Sequence, residues 1–166
     1  MTDTGARTRL EDIEAIRILK ARYFRCLDTK DWEGFGRLFA EDAQIGPLDN
    51  GFPDYLMDLR PAEAQKPLQS SGVDAFVARV AANIGPLITT HHGHQPEIEF
   101  TGADAATGIW AMEDVLVWPE HGYRLRGTGH YHETYRRVDE DWKFSSLRLT
   151  RLYAYVEKFD VSMRGK

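Results

Sequence analysis

With one cysteine, Cys26, in 166 residues, the chain cannot close an internal disulfide. The apolar neighbours of Cys26 assign it to helix packing, and its isolation fits a reducing compartment. Long hydrophobic runs are missing as well: none approaches the roughly 18–20 residues that a membrane span or secretory signal needs. No membrane partner is expected, and a cytoplasmic location is. Positive charge is in deficit, with 21 Lys and Arg against 26 Asp and Glu and a net charge of −5. These basic residues are dispersed and form no stripe that could track a phosphate backbone, so nucleic acid is not an expected partner. Internal repeats and low-complexity segments are absent too. What is present is 42% hydrophobic and 28% charged residues, the composition of a chain that folds on its own core. The length fits a single domain, 1–166, with a frayed polar start over 1–7.

The first half reads as helices. Leu10, Ile13, Ile16, Leu19, Tyr23 and Leu27 recur at three-to-four spacing, while Glu11, Glu14, Arg17, Lys20 and Arg25 fill the other face. Asp28-Thr29-Lys30-Asp31 then offers N-caps for a second helix carrying Trp32, Phe35, Leu38 and Phe39. From Pro47 to Gly72 four of the seven prolines argue against a long regular element. Phe52, Tyr55, Leu56, Met57 and Leu59 make that stretch a lid-like loop. A third helix carries Val73, Phe76, Val77, Val80 and Ile84 and stops at Gly85-Pro86.

The second half changes period to four strands, about 87–100, 106–118, 123–138 and 142–155. Helices followed by a run of strands imply an α+β fold with helices on one face of a strongly curved, antiparallel or mixed sheet. On the last strand, simple alternation groups Leu147, Leu149, Arg151, Tyr153 and Tyr155, with Arg148 and Thr150 opposite. Arg151 thus interrupts an apolar face and requires a carboxylate, a ligand or open water. His91, His92 and His94 cluster on the first strand, with His130 and His132 on a later one. Alternation separates His91 from the other two, and neither a cysteine ligand nor an HExxH helix accompanies them, so no metal is expected. A histidine beside a carboxylate in a pocket would suit a general base. Parity alone groups His92 and His94 with Ile98 and Phe100, unless a bulge at Gly93 or a bend at Pro96 reverses it. Asp28 reads locally as a helix cap, and Tyr23 as a core aromatic with its hydroxyl at the rim.

Ile13-Glu14-Ala15-Ile16 followed by Arg22-Tyr23-Phe24-Arg25-Cys26-Leu27-Asp28 resembles the opening helix of SnoaL-like proteins, which have the nuclear-transport-factor-2-like fold. The resemblance continues through His91-His92-Gly93-His94-Gln95-Pro96-Glu97-Ile98, Ala106-Thr107-Gly108-Ile109-Trp110 with Glu113-Asp114, and Arg151-Leu152-Tyr153, where it is nearest to the bile-acid 7α-dehydratase type. It implies about three N-terminal helices and a curved sheet enclosing a conical pocket. It also implies catalytic roles for Tyr23, Asp28, His91 and Arg151, with Trp110, Asp114, Tyr131 and Leu149 lining the substrate pocket. A dehydrochlorinase of the superfamily pairs Asp and His at the positions matching Asp28 and His91. Scytalone dehydratase uses a further histidine where Trp110 stands, which disfavours that substrate. The 47–72 loop is longer than the bile-acid type leads one to expect, so substrate identity does not carry over.

The expected activity is therefore a cofactor-independent, dehydratase-type elimination on an apolar polycyclic, steroid-like or terpenoid-like molecule. In it His91 takes a proton, Asp28 fixes its tautomer, and Tyr23 donates to the leaving oxygen or enolate. Arg151 orients Asp28 or a polar substrate group. The alternatives are a double-bond isomerase of the ketosteroid isomerase type and a non-catalytic binding or accessory protein. Self-association as a homotrimer or homodimer is expected, through the aromatic-rich final strand.

Overall fold

The computed structural model describes residues 9–48 and 68–158. Helix α1 (Arg9–Thr29) buries Ile16, Leu19, Tyr23, Phe24, Cys26 and Leu27 at helical spacing against the sheet. Two expected positions change sides: Leu10 is exposed, and Lys20, assigned above to the solvent face, is buried. The helix ends where Lys30 takes a left-handed φ of 62°. Asp31, not Asp28, then caps α2 (Trp32–Gly36) by accepting the Gly34 N–H at 2.8 Å.

Helix α2 is shorter than its apolar pattern suggests, because Phe39 belongs to the next element. It opens β1 (Phe39–Leu48) and inserts among Phe35, Phe76 and Phe144 at ring-centroid distances of 5.1–5.3 Å. Strand β2 (Leu68–Ser71) pairs antiparallel with β1. These strands correct the expectation of an unbroken loop at its two ends; Phe52, Tyr55, Leu56, Met57 and Leu59 lie outside the described residues. Helix α3 (Val73–Ile84) buries Phe76 and Val80 and ends at Gly85 as expected.

The remaining strands are β3 (Ile88–Phe100), β4 (Ala105–Trp118), β5 (Tyr123–Val138) and β6 (Asp141–Lys158). The sheet order is β2-β1-β6-β5-β4-β3, with β1 parallel to β6 and the other neighbours antiparallel. The fold is α+β around a curved mixed sheet, with α1 packed on its inner face. That face is built in rows. Phe100, Ala106, Tyr135, Phe144 and Phe39 stand side by side in one of them, filling the closed end with rings.

Bulges decide which side chains reach the open end. On β3 the register slips between Gly93 and Pro96, which puts His91 on the same face as Ile98 and Phe100 and reverses the parity read from the sequence. On β6, Arg151 stands opposite Gly129 and Tyr153 opposite Thr128, so Leu152 is the extra residue and is exposed. Alternation therefore fails after Arg151. Tyr153 and Tyr155 lie on the outer face, not with Leu147 and Leu149 as simple parity implied.

Asp12 fastens α1 at the closed end. Its carboxylate accepts from Arg137 at 2.7 Å and from the Trp142 indole N–H at 3.0 Å. Burial pulls this carboxyl up, and the two hydrogen bonds more than offset that, holding it below its ordinary value. The folded chain thus binds this proton less readily than the unfolded chain. The stabilisation is present above about pH 4 and is lost as pH falls through the lowered folded value. Asp12→Ala should cost about 1.5–3 kcal/mol at pH 7 and clearly less at pH 3, measured as urea midpoints.

Candidate active site

The last turn of α1 brings Asp28 against β3. One carboxylate oxygen accepts from the His91 backbone N–H at 3.0 Å, and the other from Thr89 at 2.9 Å and from His91 Nδ1 at 2.7 Å. Thr89 in turn accepts from the Lys30 ammonium at 2.8 Å. Burial raises the Asp28 carboxyl, but the ring and backbone hydrogen bonds of His91, its charge and the Thr89 hydroxyl outweigh it. The carboxyl is held below its ordinary range and is ionised at neutral pH. A carboxylate only accepts, so Nδ1 carries the proton and the neutral imidazole keeps its lone pair on Nε2. The His91 side chain is only 6% exposed, and its ring stacks nearly parallel to Phe24, 12° between planes and 6.3 Å between centroids. Gly93 makes this possible, since a Cβ there would lie 2.6 Å from the Phe24 ring.

Arg151 does not reach Asp28. It forms a bidentate pair with Asp114 at 2.7 and 2.6 Å, both side chains being buried. That corrects one of the two roles expected of Arg151 and gives Asp114 a partner that lining a pocket did not imply. Asp114 stands directly opposite His91 across the β3–β4 pair and opposite Gly127 on β5, so the two side chains are neighbours on the inner face. Gly127 is the space the guanidinium crosses: a Cβ there would lie 2.3 Å from Arg151 Nη1 and 3.0 Å from Asp114 Oδ1.

Two rows further in, Trp110, Tyr131 and Leu149 lie side by side, all buried. Tyr23 packs edge-on to Tyr131 at 5.7 Å, and the two phenols influence each other electrostatically. Burial raises both phenols, helped by the nearby Asp114 charge, so both stay protonated at neutral pH. The Trp110 indole N–H is directed away from them, to Tyr135 Oη at 2.8 Å.

The structure thus assembles two carboxylate pairs, Asp28–His91 and Asp114–Arg151, above a tyrosine pair. Thr89 and Phe24 were missed, although Thr89 shares the parity of His91 and was legible in principle. His94 is exposed beside Glu113 at 3.7 Å, and His132 bonds Thr150 at 3.0 Å. Among the described residues no group of three or more His, Cys, Asp or Glu side chains could hold a metal ion, and no helix is long and apolar enough to cross a membrane.

The SnoaL-like domain family matches residues 8–148. The chain belongs to the SnoaL-like family. Among curated proteins, a probable cyclase of Gibberella zeae is 27% identical over 143 residues, which span 81% of this chain and 87% of the relative. Among solved structures, a type 2 hexachlorocyclohexane dehydrochlorinase superposes with a TM-score of 0.73 at 20% identity over 90% of each chain. A Novosphingobium aromaticivorans protein provisionally named a scytalone dehydratase superposes with a TM-score of 0.72 at 23% identity over 100% of both chains. At these identities the two structures establish a shared SnoaL-like fold.

Proposed function

We propose that this chain is a cofactor-independent lyase that eliminates water, or a similar leaving group, from an apolar polycyclic, steroid-like or terpenoid-like substrate whose carbonyl acidifies a nearby C–H. The observation that carries this reading is the Asp28–His91 dyad. It presents an oriented, desolvated imidazole whose free nitrogen is the only one able to accept a proton. The cyclase, dehydrochlorinase and dehydratase names of the relatives support the same class of chemistry. The affinity for the bile-acid 7α-dehydratase type rests on the motifs around His91 and Arg151.

In this mechanism His91 Nε2 takes the C–H proton, Asp28 stabilises the resulting imidazolium, and the electron pair expels the leaving group, which departs with the proton that the imidazolium gives back. Tyr23, backed by Tyr131, donates to the oxygen on which charge develops. Arg151 neutralises Asp114.

The test is a panel of polycyclic β-hydroxy ketones incubated with the protein and read by mass spectrometry. Loss of the mass of one water is expected; products of unchanged mass with a shifted double bond would support an isomerase instead. Asp28→Asn should reduce that turnover by about 10²–10⁴-fold, because an amide can hold the wrong tautomer and cannot stabilise an imidazolium. Turnover within a few-fold of wild type in Asp28→Asn would remove the dyad from the mechanism.

We also propose self-association through the outer face of β6, where Leu152 and Tyr153 are 73% and 59% exposed. Light scattering at micromolar concentration should give a dimer or trimer mass, and Tyr153→Lys should shift it toward monomer. A monomer mass for the wild-type chain would contradict this.

A further inference from the structure

Behind the tyrosine pair lies a charged group that the elimination mechanism does not use. Lys20 is 1% exposed, and its ammonium pairs with Glu133, whose side chain is fully buried. The other Glu133 oxygen accepts from the Tyr135 hydroxyl, which accepts from Trp110. Gly108 leaves room for this chain of bonds, since a Cβ there would lie 2.8 Å from Tyr135 Oη. The rest of the Lys20 surroundings is aromatic: Nζ lies 3.5 Å from the Tyr131 ring centroid, 4.2 Å from Tyr23 and 4.6 Å from Phe24.

A buried ion pair is a poor device for stability alone, because desolvating both charges consumes most of the Coulombic gain and an apolar pair of similar volume often does as well or better. Its placement is informative. The cation lies on the faces of the two rings, which themselves pack edge to face. A cation on a phenol face draws ring density toward itself, which makes the hydroxyl a stronger donor to an acceptor that is gaining negative charge.

We propose that Lys20, held by Glu133, is a positioning residue that orients the Tyr23–Tyr131 pair and strengthens its hydroxyls as donors to the developing oxyanion. The catalytic consequence rests on the elimination reading above; the coupling between Lys20 and the two tyrosines does not.

The coupling is measurable without substrate. Burial pulls the Lys20 ammonium down to about 8, with Glu133 opposing a larger fall. The charged and titratable groups that face Lys20 or the two phenols are Tyr23 on α1, Asp114 on β4, Tyr131, Glu133 and Tyr135 on β5, and Arg151 on β6. In protein labelled at tyrosine Cζ, the Tyr23 and Tyr131 carbon resonances should move together between about pH 6 and pH 10, with a shared midpoint near 8. The step should vanish in Lys20→Met/Glu133→Gln, a pair chosen to leave no unpaired buried charge. With a substrate from the panel, this double variant should lose about 10-fold or more in kcat with KM within about 2-fold, and under about 2-fold in a Tyr23→Phe background.

No shared step in the wild-type protein, which needs no variant to fold, overturns the proposal. So does a step that persists in the double variant, or a kcat loss of equal size with and without the Tyr23 hydroxyl. If no panel compound is turned over, the lyase reading fails, and the resonance titration still decides whether Lys20 governs the tyrosine pair.

Discussion

His91→Ala is expected to lower turnover by about 10²–10⁴-fold, the usual contribution of one positioned acid–base group, while the urea midpoint stays close to wild type. The separation of the two effects follows from the site. His91 contributes one ring face to Phe24 and one hydrogen bond to Asp28, whereas the strand itself is held by backbone pairing along β4. Asp28 keeps the His91 backbone N–H and Thr89 as donors after the ring is gone, so no buried carboxylate is stranded. The lost fraction should appear in kcat and kcat/KM alike, because the proton is transferred only in the transition state. A variant that keeps its turnover means that another group is the base.

Asp114→Ala is expected to be the most destabilising single change at the site, at about 3–5 kcal/mol, because it removes the bidentate carboxylate from a buried guanidinium. Urea unfolding of Asp114→Ala, Arg151→Leu and the double variant separates the cost of removing one side chain from the worth of the pair. The double variant should recover part of the stability lost by either single change, since no charge is then left without its partner. Equal losses that simply add would mean that the two side chains do not act as a unit.

Much of this architecture is legible in one sequence where the signals are local. Alternation bounded by turn residues places β3 to β6 to within a few residues, and the Gly72 and Gly85 borders fix α3. Legibility fails where a distant partner decides. Phe39 has the spacing of a helix face, but three rings from α2, α3 and β6 draw it into a strand. Leu152 looks like any strand residue, and only the bulge opposite Gly129 shows that it shifts Tyr153 to the outer face. Lys20 is charged and was therefore assigned to solvent; its carboxylate lies 113 residues away on β5, beyond any periodicity. Asp28 is the instructive case. Local chemistry makes it a helix cap, and the motif resemblance points instead to His91, 63 residues on. The structure gives the cap to Asp31 and directs Asp28 to His91 and Thr89 on β3.

The oriented base is the central claim, and nuclear magnetic resonance of protein labelled with ¹⁵N-histidine tests it without a substrate. The account predicts that the neutral form of His91 carries its proton on Nδ1 and leaves Nε2 bare, with a far-downfield proton resonance from the Nδ1–H to Asp28 hydrogen bond. In Asp28→Asn that downfield resonance should be lost. A His91 ring carrying its proton on Nε2 in the wild-type protein, or an Nδ1 resonance unchanged in Asp28→Asn, would contradict the account.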